Sequence, residues 1–198
     1  MGIKDTKNGK LLYHLTRFDN LESIIENGLV SRKILNDNSA GFSDVANQEI
    51  INKRSELGLD SLTPFHFHPY SSFDVAVKNA YSNEEFVYIC ITRELAKHNS
   101  FKILPMHPLS IEVEKFQLLD YGEGFDKIDW NTMHTLGTMD EYTKHVKMAE
   151  CLTHLVVPAA LFHSICVSNQ ISQEKVRDLL REKGITKNPP YVNVQSWF

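Results

Sequence analysis

Several features that usually reveal a protein's chemistry are missing from these 198 residues. No apolar run approaches the roughly 18 residues that a membrane-spanning helix needs. The opening MGIKDTKNGK is polar and lacks the apolar stretch of a secretory signal. MGIKDT fits a myristoylation pattern loosely, but nothing else in the sequence points to a membrane. Cysteine is scarce: Cys90, Cys151 and Cys166 lie in apolar surroundings, and none forms a C-x-x-C pair. That excludes a disulfide scaffold, and we expect reduced core thiols in a cytoplasmic protein. A basic excess is also lacking. Lys and Arg number 21 against 25 acids, a formal net charge of −4, which excludes a protein that coats nucleic acid but leaves room for a local basic patch. There is no G-x-G-x-x-G or G-x-x-x-x-G-K phosphate loop and no G-x-S-x-G nucleophile elbow.

What is present is an ordinary globular composition, 42% apolar and 23% charged. With no repeat, linker or low-complexity tract, we expect one domain over residues 1–198. LLYHLT reads as a short strand and DNLESIIENGL as a helix, with Asp19 or Asn20 as cap, Leu21, Ile24 and Ile25 as the apolar stripe and Gly28 as stop. SDVANQEIINKRSELG reads as a second helix, capped by Ser43, with Val45, Ile50, Ile51 and Leu57 inward and Gly58 at its end. EFVYICIT is a clear strand, SIEVEKF a weaker one, and THLVVP and FHSICVSN are two more. SQEKVRDLLREKG is a late helix between Ser172 and Gly184, and YVNVQSWF a closing strand. This order lacks βαβα alternation, so the expected class is α+β with mostly antiparallel strands. Leu118 to Lys144 reads as a long loop with Gly122, Gly124 and Gly137 and the exposed-looking aromatics Tyr121, Phe125, Trp130 and Tyr142. Long loops in compact domains are usually functional or disordered.

Nine histidines raise the question of metal. His66 and His68 in HFH share one strand face, but no matching cluster of Cys, His or carboxylate accompanies them, so no metal is expected. The candidate chemistry is dispersed. In HVKMAECLTHLVVP, Glu150 stands where a basic segment passes into an apolar strand; such an acid either points to solvent or faces a cleft and does chemistry. His14 and Thr16 in YHLT sit at a strand end within reach of a ligand, although a lone His is commonly structural. Arg54 lies late in a helix, where a surface charge is the plain reading, and PFHF supplies aromatic walls or simply core.

Together these stretches resemble the DarT family of DNA ADP-ribosyltransferase toxins. LYHLTRFDNLESIIENGL is similar to that family's His-x-Thr strand and Asp-Asn-Leu helix, and DVANQEIINKR to its helix ending in a functional Arg. TPFHFHPYSSF is similar to its Pro-Phe-aromatic-Phe strand, KMAECL to its Ala-Glu segment with the catalytic Glu, and VNVQSWF to its final strand. The resemblance runs from about Leu11 to Phe198 and rests on the order and spacing of the motifs. Thymidine-modifying members read PFYF, and here His66 replaces the Tyr, closer to branches that modify guanosine.

The resemblance implies an ADP-ribosyltransferase-like fold of mostly antiparallel central sheets flanked by helices. It implies an enzyme that uses NAD as substrate, passes ADP-ribose to a base in single-stranded DNA, guanine favoured over thymine, and releases nicotinamide. Glu150 would be catalytic, with Arg54 serving either an NAD phosphate or the base; His14, Leu15, Thr16, Asn20, Ser23, Arg54 and Phe67 would bind NAD. Lys53, Tyr121, Trp130, Tyr142, Lys144 and Lys147 would bind DNA, with residues from about Lys115 to Ala149 as the recognition loop. A macrodomain-type antitoxin is the implied partner, and the toxin a monomer without a membrane partner. Rival readings are a transferase acting on protein or RNA, an NAD-using RNA 2′-phosphotransferase, and a non-catalytic nucleic-acid-binding domain.

Overall fold

The computed structural model describes residues 5–37, 41–42, 44–135, 137 and 140–195. Leu11–Arg17 form β1, and the apolar, β-branched run Phe86–Thr92 forms β3 beside it. The two pair antiparallel along their whole length, from Leu11 opposite Thr92 to Arg17 opposite Phe86. Between them come α1 (Leu21–Asn27), α2 (Arg32–Asp37), α3 (Gln48–Glu56), β2 (Thr63–His66) and α4 (Ser72–Ala80). After β3 the chain forms α5 (Arg93–His98), β4 (Lys102–Leu104), β5 (Leu119–Asp120), α6 (Tyr121–Lys127), α7 (Trp130–Met133) and α8 (Glu141–Lys147). It ends with β6 (Glu150–Thr153), β7 (Ser164–Val167), α9 (Gln170–Glu182) and β8 (Tyr191–Val194). The described residues build one eight-stranded sheet in the order β5-β4-β6-β2-β1-β3-β7-β8. Neighbours are antiparallel except β7 and β8, which run parallel because α9 crosses over between them.

Residues opposite one another on paired strands share a face. Leu12, Phe65, Val87, Ile89 and Cys151 enter the larger core cluster, which also holds Leu21 and Ile25 of α1 and Val176 and Leu180 of α9. Leu15, Tyr88, Cys90 and Cys166 pack with Val77 of α4 in a second cluster, and Leu104 and Leu152 pack with Leu57 and Leu59 beyond α3 in a third. All three cysteines are free and buried.

The sheet is forked at its centre. β2 pairs with β6 over four residues, but with β1 only where Tyr13 meets His66. Beyond that point the two strands part. His14, Leu15 and Thr16 form one lip of the opening, and Thr63 and Pro64 form the other.

Several sequence expectations are corrected. Leu118 to Lys144 is not a loop: β5, α6, α7 and α8 lie within or overlap it. Its glycines misled because Gly124 is a packing site, where an added Cβ would come within 2.5 Å of Ile103 Cβ. SIEVEKF is not a strand: 3-10 turns take Pro108–Ser110 and Val113–Lys115, since both edges of nearby β4 are already paired with β5 and β6. THLVVP yields only its first residue to β6; Leu155 and Val156 are exposed, and Val157 makes a lone bridge to Leu29. α9 is capped by Asn169 rather than Ser172; Asn169 Oδ1 accepts from Ser172 N at 2.9 Å, while Gly184 ends the segment at φ +74. α3 is capped by Asn47, and Ser43 lies outside the described residues, as do residues 196–198 of the closing strand. The fully buried side chain of α3 is Arg54; Ile50 and Ile51 are half-buried.

Candidate active site

The fork opens into a cleft bounded by β1, the start of α1, α3 and β2, with Glu150 at its floor. Glu150 is the first residue of β6 and stands directly opposite His66 of β2 and Leu104 of β4. It is 3% exposed, and Arg54 is 4% exposed. Arg54 Nη1 donates to both carboxylate oxygens, at 2.9 Å to Oε1 and 2.7 Å to Oε2. Its Nη2 donates to the carbonyls of Leu59 and Leu62 at 3.2 and 3.3 Å. Gly58, in the left-handed region at φ +69, ends α3 and turns the chain back so that those carbonyls face the guanidinium. Burial pushes the Glu150 carboxyl up, but Arg54, His66 and His107 outweigh it and hold the group below the usual carboxylate range. Glu150 is therefore an ionised, preoriented carboxylate in a largely dry place.

His14 donates its Nδ1–H to the Pro64 carbonyl at 2.8 Å, because a carbonyl can only accept. This bond bridges the two lips of the fork. Burial lowers the His14 pKa to about 4 against the raising effect of Pro64, with His66 and Arg54 adding to the depression. The ring is thus neutral at pH 7, and Nε2 is an acceptor suited to a hydroxyl. His107, 3% exposed, is lowered to about 4 by burial, opposed by Glu150 and assisted by His66, His145 and Arg54. Its Nδ1 accepts from Leu109 N at 3.3 Å.

Of the residues expected at the NAD site, the structure brings His14, Leu15, Thr16, Asn20, Ser23 and Arg54 to the cleft with Glu150. Asn20 Nδ2 donates to Thr16 Oγ1 at 3.1 Å, tying α1 to β1. Phe67 is not brought there: it is 1% exposed and sits on the far side of the sheet, edge-on to Trp130 at 5.5 Å and under the Arg93 guanidinium at 5.1 Å. Arg54 is committed to Glu150 and two carbonyls rather than free for a phosphate.

The residues expected to bind DNA are scattered. Trp130 is buried, with Nε1 donating to Phe125 O at 2.9 Å, and Tyr121 is half-buried against Phe125. The reading of these aromatics as exposed is corrected: α6 and α7 fold them onto Phe67 and Arg93. Tyr142 is exposed and donates to Asp129 at 3.0 Å. Lys147 is 8% exposed and donates to the carbonyls of Thr135 and Gly137, fastening the α7–α8 connection. Lys53 pairs with Glu56 at 3.1 Å and Lys144 with Glu141 at 3.7 Å, both toward solvent.

Sequence reasoning missed Ser31, Thr63, Phe73 and His107 as cleft residues, and took His66 as a weak metal candidate and as the residue that departs from PFYF. Among the described residues no three His, Cys, Asp or Glu side chains gather as metal ligands. The register of His66 against Glu150 was the available signal, and it needs the strand pairing. Ser31 Oγ, Thr63 Oγ1 and His66 Nδ1 are buried without a hydrogen-bond partner among the described residues, which leaves the cleft capacity for a polar ligand. Ile24, Leu35, Val45 and Phe73 give it an apolar wall suited to flat rings.

Solved structures share this architecture. DarT of Thermus sp. 2.9 in complex with ADP-ribosylated ssDNA aligns with a TM-score of 0.76 at 20% identity, over 94% of each chain. The same protein in complex with NAD+ aligns at 0.73 and 18%, over 96% of each chain. DarTG of Thermosipho africanus in complex with ADP-ribose aligns at 0.68 and 18%; the match takes in 95% of this chain but 50% of that one. The chain shares the fold of these DarT structures. The family profile described as "ssDNA thymidine ADP-ribosyltransferase, DarT" matches residues 13–198, and the chain belongs to the DarT family. No curated protein matches the chain.

Proposed function

We propose that the chain, acting as a single domain over residues 1–198, transfers ADP-ribose from NAD to a base in single-stranded DNA and releases nicotinamide. One observation carries the reading: a buried carboxylate held by a buried arginine at the floor of a cleft whose lip carries a neutral histidine. NAD supplies a ribosyl–nicotinamide bond with a good leaving group. Cleaving such a bond builds positive charge on the sugar, as in glycoside hydrolysis. Glu150 stabilises that charge, and a preoriented group in a dry site is worth most to developing charge. Arg54 keeps Glu150 ionised and fixed, so it acts through the carboxylate. His14 orients a ribose hydroxyl through Nε2. Thr16, Asn20 and Ser23 address the remaining polar edges.

The acceptor base is the finer part of the proposal. We favour guanine over thymine, on His66 at the cleft in place of the Tyr of thymidine-modifying members; the family description names thymidine. Tyr142, Lys53 and Lys144 are the expected DNA contacts that remain on the surface. A macrodomain-type antitoxin as partner, a monomeric toxin and a cytoplasmic site of action complete the reading; among the described residues no helix is long and apolar enough to cross a membrane.

The test is to react NAD and the protein with oligonucleotides that each lack one base, single-stranded and as duplex, and to weigh the products. We expect an adduct on single strands that disappears only when guanine is absent. Disappearance only without thymine reverses the base assignment. Label on protein and never on DNA overturns the acceptor reading.

A further inference from the structure

Tyr70 is held in a backbone conformation that a tyrosine rarely adopts. Its φ is +65°, in the left-handed region. The other described non-glycine residues with positive φ are easier to explain: Ser100 follows the end of α5, and Asn188 is of a type that tolerates the conformation. Strain of this kind persists where surrounding structure over-determines it, and it concentrates at functional positions. Here the surroundings are explicit. Tyr70 N donates to the Tyr88 hydroxyl at 2.8 Å, and that hydroxyl donates to Asp74 Oδ2 at 2.9 Å. Asp74 Oδ2 also accepts from Ser71 N at 2.7 Å, closing a capping box at the start of α4. Ser71, Asp74 and Tyr88 are all at least 97% buried.

What this buried network presents is an aromatic ring that is 45% exposed. Its hydroxyl and its ring have no hydrogen-bond or ring partner among the described residues; the backbone N–H is the bonded group. The place is specific. The segment carrying Tyr70 joins His66 to α4, and Phe73 of α4 lies against the His66 ring with centroids 6.3 Å apart. His66 and Phe73 both line the cleft, so Tyr70 lies along the chain between two cleft residues, and its own ring faces solvent.

We propose that Tyr70 is a stacking platform for a base of the acceptor strand at the rim of the cleft. The proposal rests on single-stranded DNA being the acceptor. A rigidly held ring suits a flexible strand because every base offers a π-face, whatever its sequence. Of the aromatics expected from sequence to do this, Tyr121, Phe125 and Trp130 pack into the protein, which leaves the task to rings that face water, Tyr142 and Tyr70.

The experiment measures affinity for a fluorescein-labelled single-stranded oligonucleotide by anisotropy, and affinity for NAD by calorimetry, in wild type, Tyr70→Phe and Tyr70→Asn. Asn tolerates the left-handed backbone and removes the ring, whereas Phe keeps the ring. We expect Tyr70→Asn to weaken DNA binding at least about tenfold, the range of one lost base stack, and Tyr70→Phe to stay within twofold of wild type. Unchanged DNA affinity in Tyr70→Asn overturns the proposal while wild-type binding leaves the acceptor reading standing. An equal loss of NAD affinity in Tyr70→Asn also overturns it, because the cleft itself would have moved. Wild-type protein that binds no single strand overturns the acceptor reading and the proposal with it.

Discussion

At the scale of single residues, the proposed chemistry and a cost in stability both rest on the Arg54–Glu150 pair. Removing one member of a buried ion pair leaves the other charged, buried and unpaired, which costs about 3–5 kcal/mol. Glu150→Gln and Arg54→Gln are therefore both expected to destabilise the protein by roughly that amount. Replacing both partners with apolar groups of similar size is often neutral. The double variant Arg54→Met with Glu150→Leu should be more stable than either single variant. All three should release nicotinamide at least about 10²-fold more slowly than wild type, because charge stabilisation is lost in each. Urea unfolding and a nicotinamide assay on the four proteins separate the two effects. A double variant no more stable than the singles would mean that the pair is not closed in solution. The pair also shows what local sequence could reveal. Glu150 was legible as an acid at the threshold of a strand and Arg54 as a helix-end cation. Their contact spans 96 positions and exists only through the packing of α3 over the sheet.

At the scale of elements, α6 carries two glycines with opposite roles. Gly124 lies against β4, where an added Cβ would fall 2.5 Å from Ile103 Cβ and 3.2 Å from Leu119 Cβ. Gly122 faces open space, with nothing within 4 Å of such a Cβ. Gly124→Ala should lower stability by about 1–3 kcal/mol through overpacking. Gly122→Ala should raise it by roughly 0.5–1 kcal/mol, because alanine is the better helix former. Urea midpoints of the two variants should move in opposite directions; movement in the same direction would contradict the placement of α6 on β4. This pair also explains why the segment read as a loop. Glycine content signals a turn in sequence, and only a neighbouring strand turns it into a packing requirement. Where local pattern and tertiary packing agree, as in β1, β3 and the body of α9, the elements were readable directly. Where a strand depended on its neighbours, as at SIEVEKF and THLVVP, alternation alone misplaced it.

At the scale of the whole molecule, histidines lowered by burial contribute to the acid response. His14 and His107 titrate near pH 4 in the folded protein and near their ordinary 6.5 in the unfolded chain. Between those values the unfolded state binds more protons, so stability is fully present above about pH 6.5 and falls as pH drops toward 4. The effect is on the order of 3 kcal/mol for each group at the lower limit. Glu150, held below its usual range, adds a further loss at pH below about 4.5, where the unfolded carboxylate takes up its proton. Melting temperatures should therefore fall steeply from pH 7 to pH 4.5. His107→Asn keeps an acceptor for Leu109 N and should flatten that slope; an unchanged slope would show that His107 is not responsible.

The two halves of the forked sheet are interleaved along the chain. One collects β2, β4, β5 and β6, the other β1, β3, β7 and β8, so neither half is a continuous stretch of polypeptide. A ribosome delivers residues in order, and domains fold from what has emerged. Arg54 leaves the ribosome long before Glu150, and until then the guanidinium has no carboxylate to close on. The buried ion pair of the candidate site therefore forms only once β6 has been made, and a nascent chain that ends short of Glu150 lacks it.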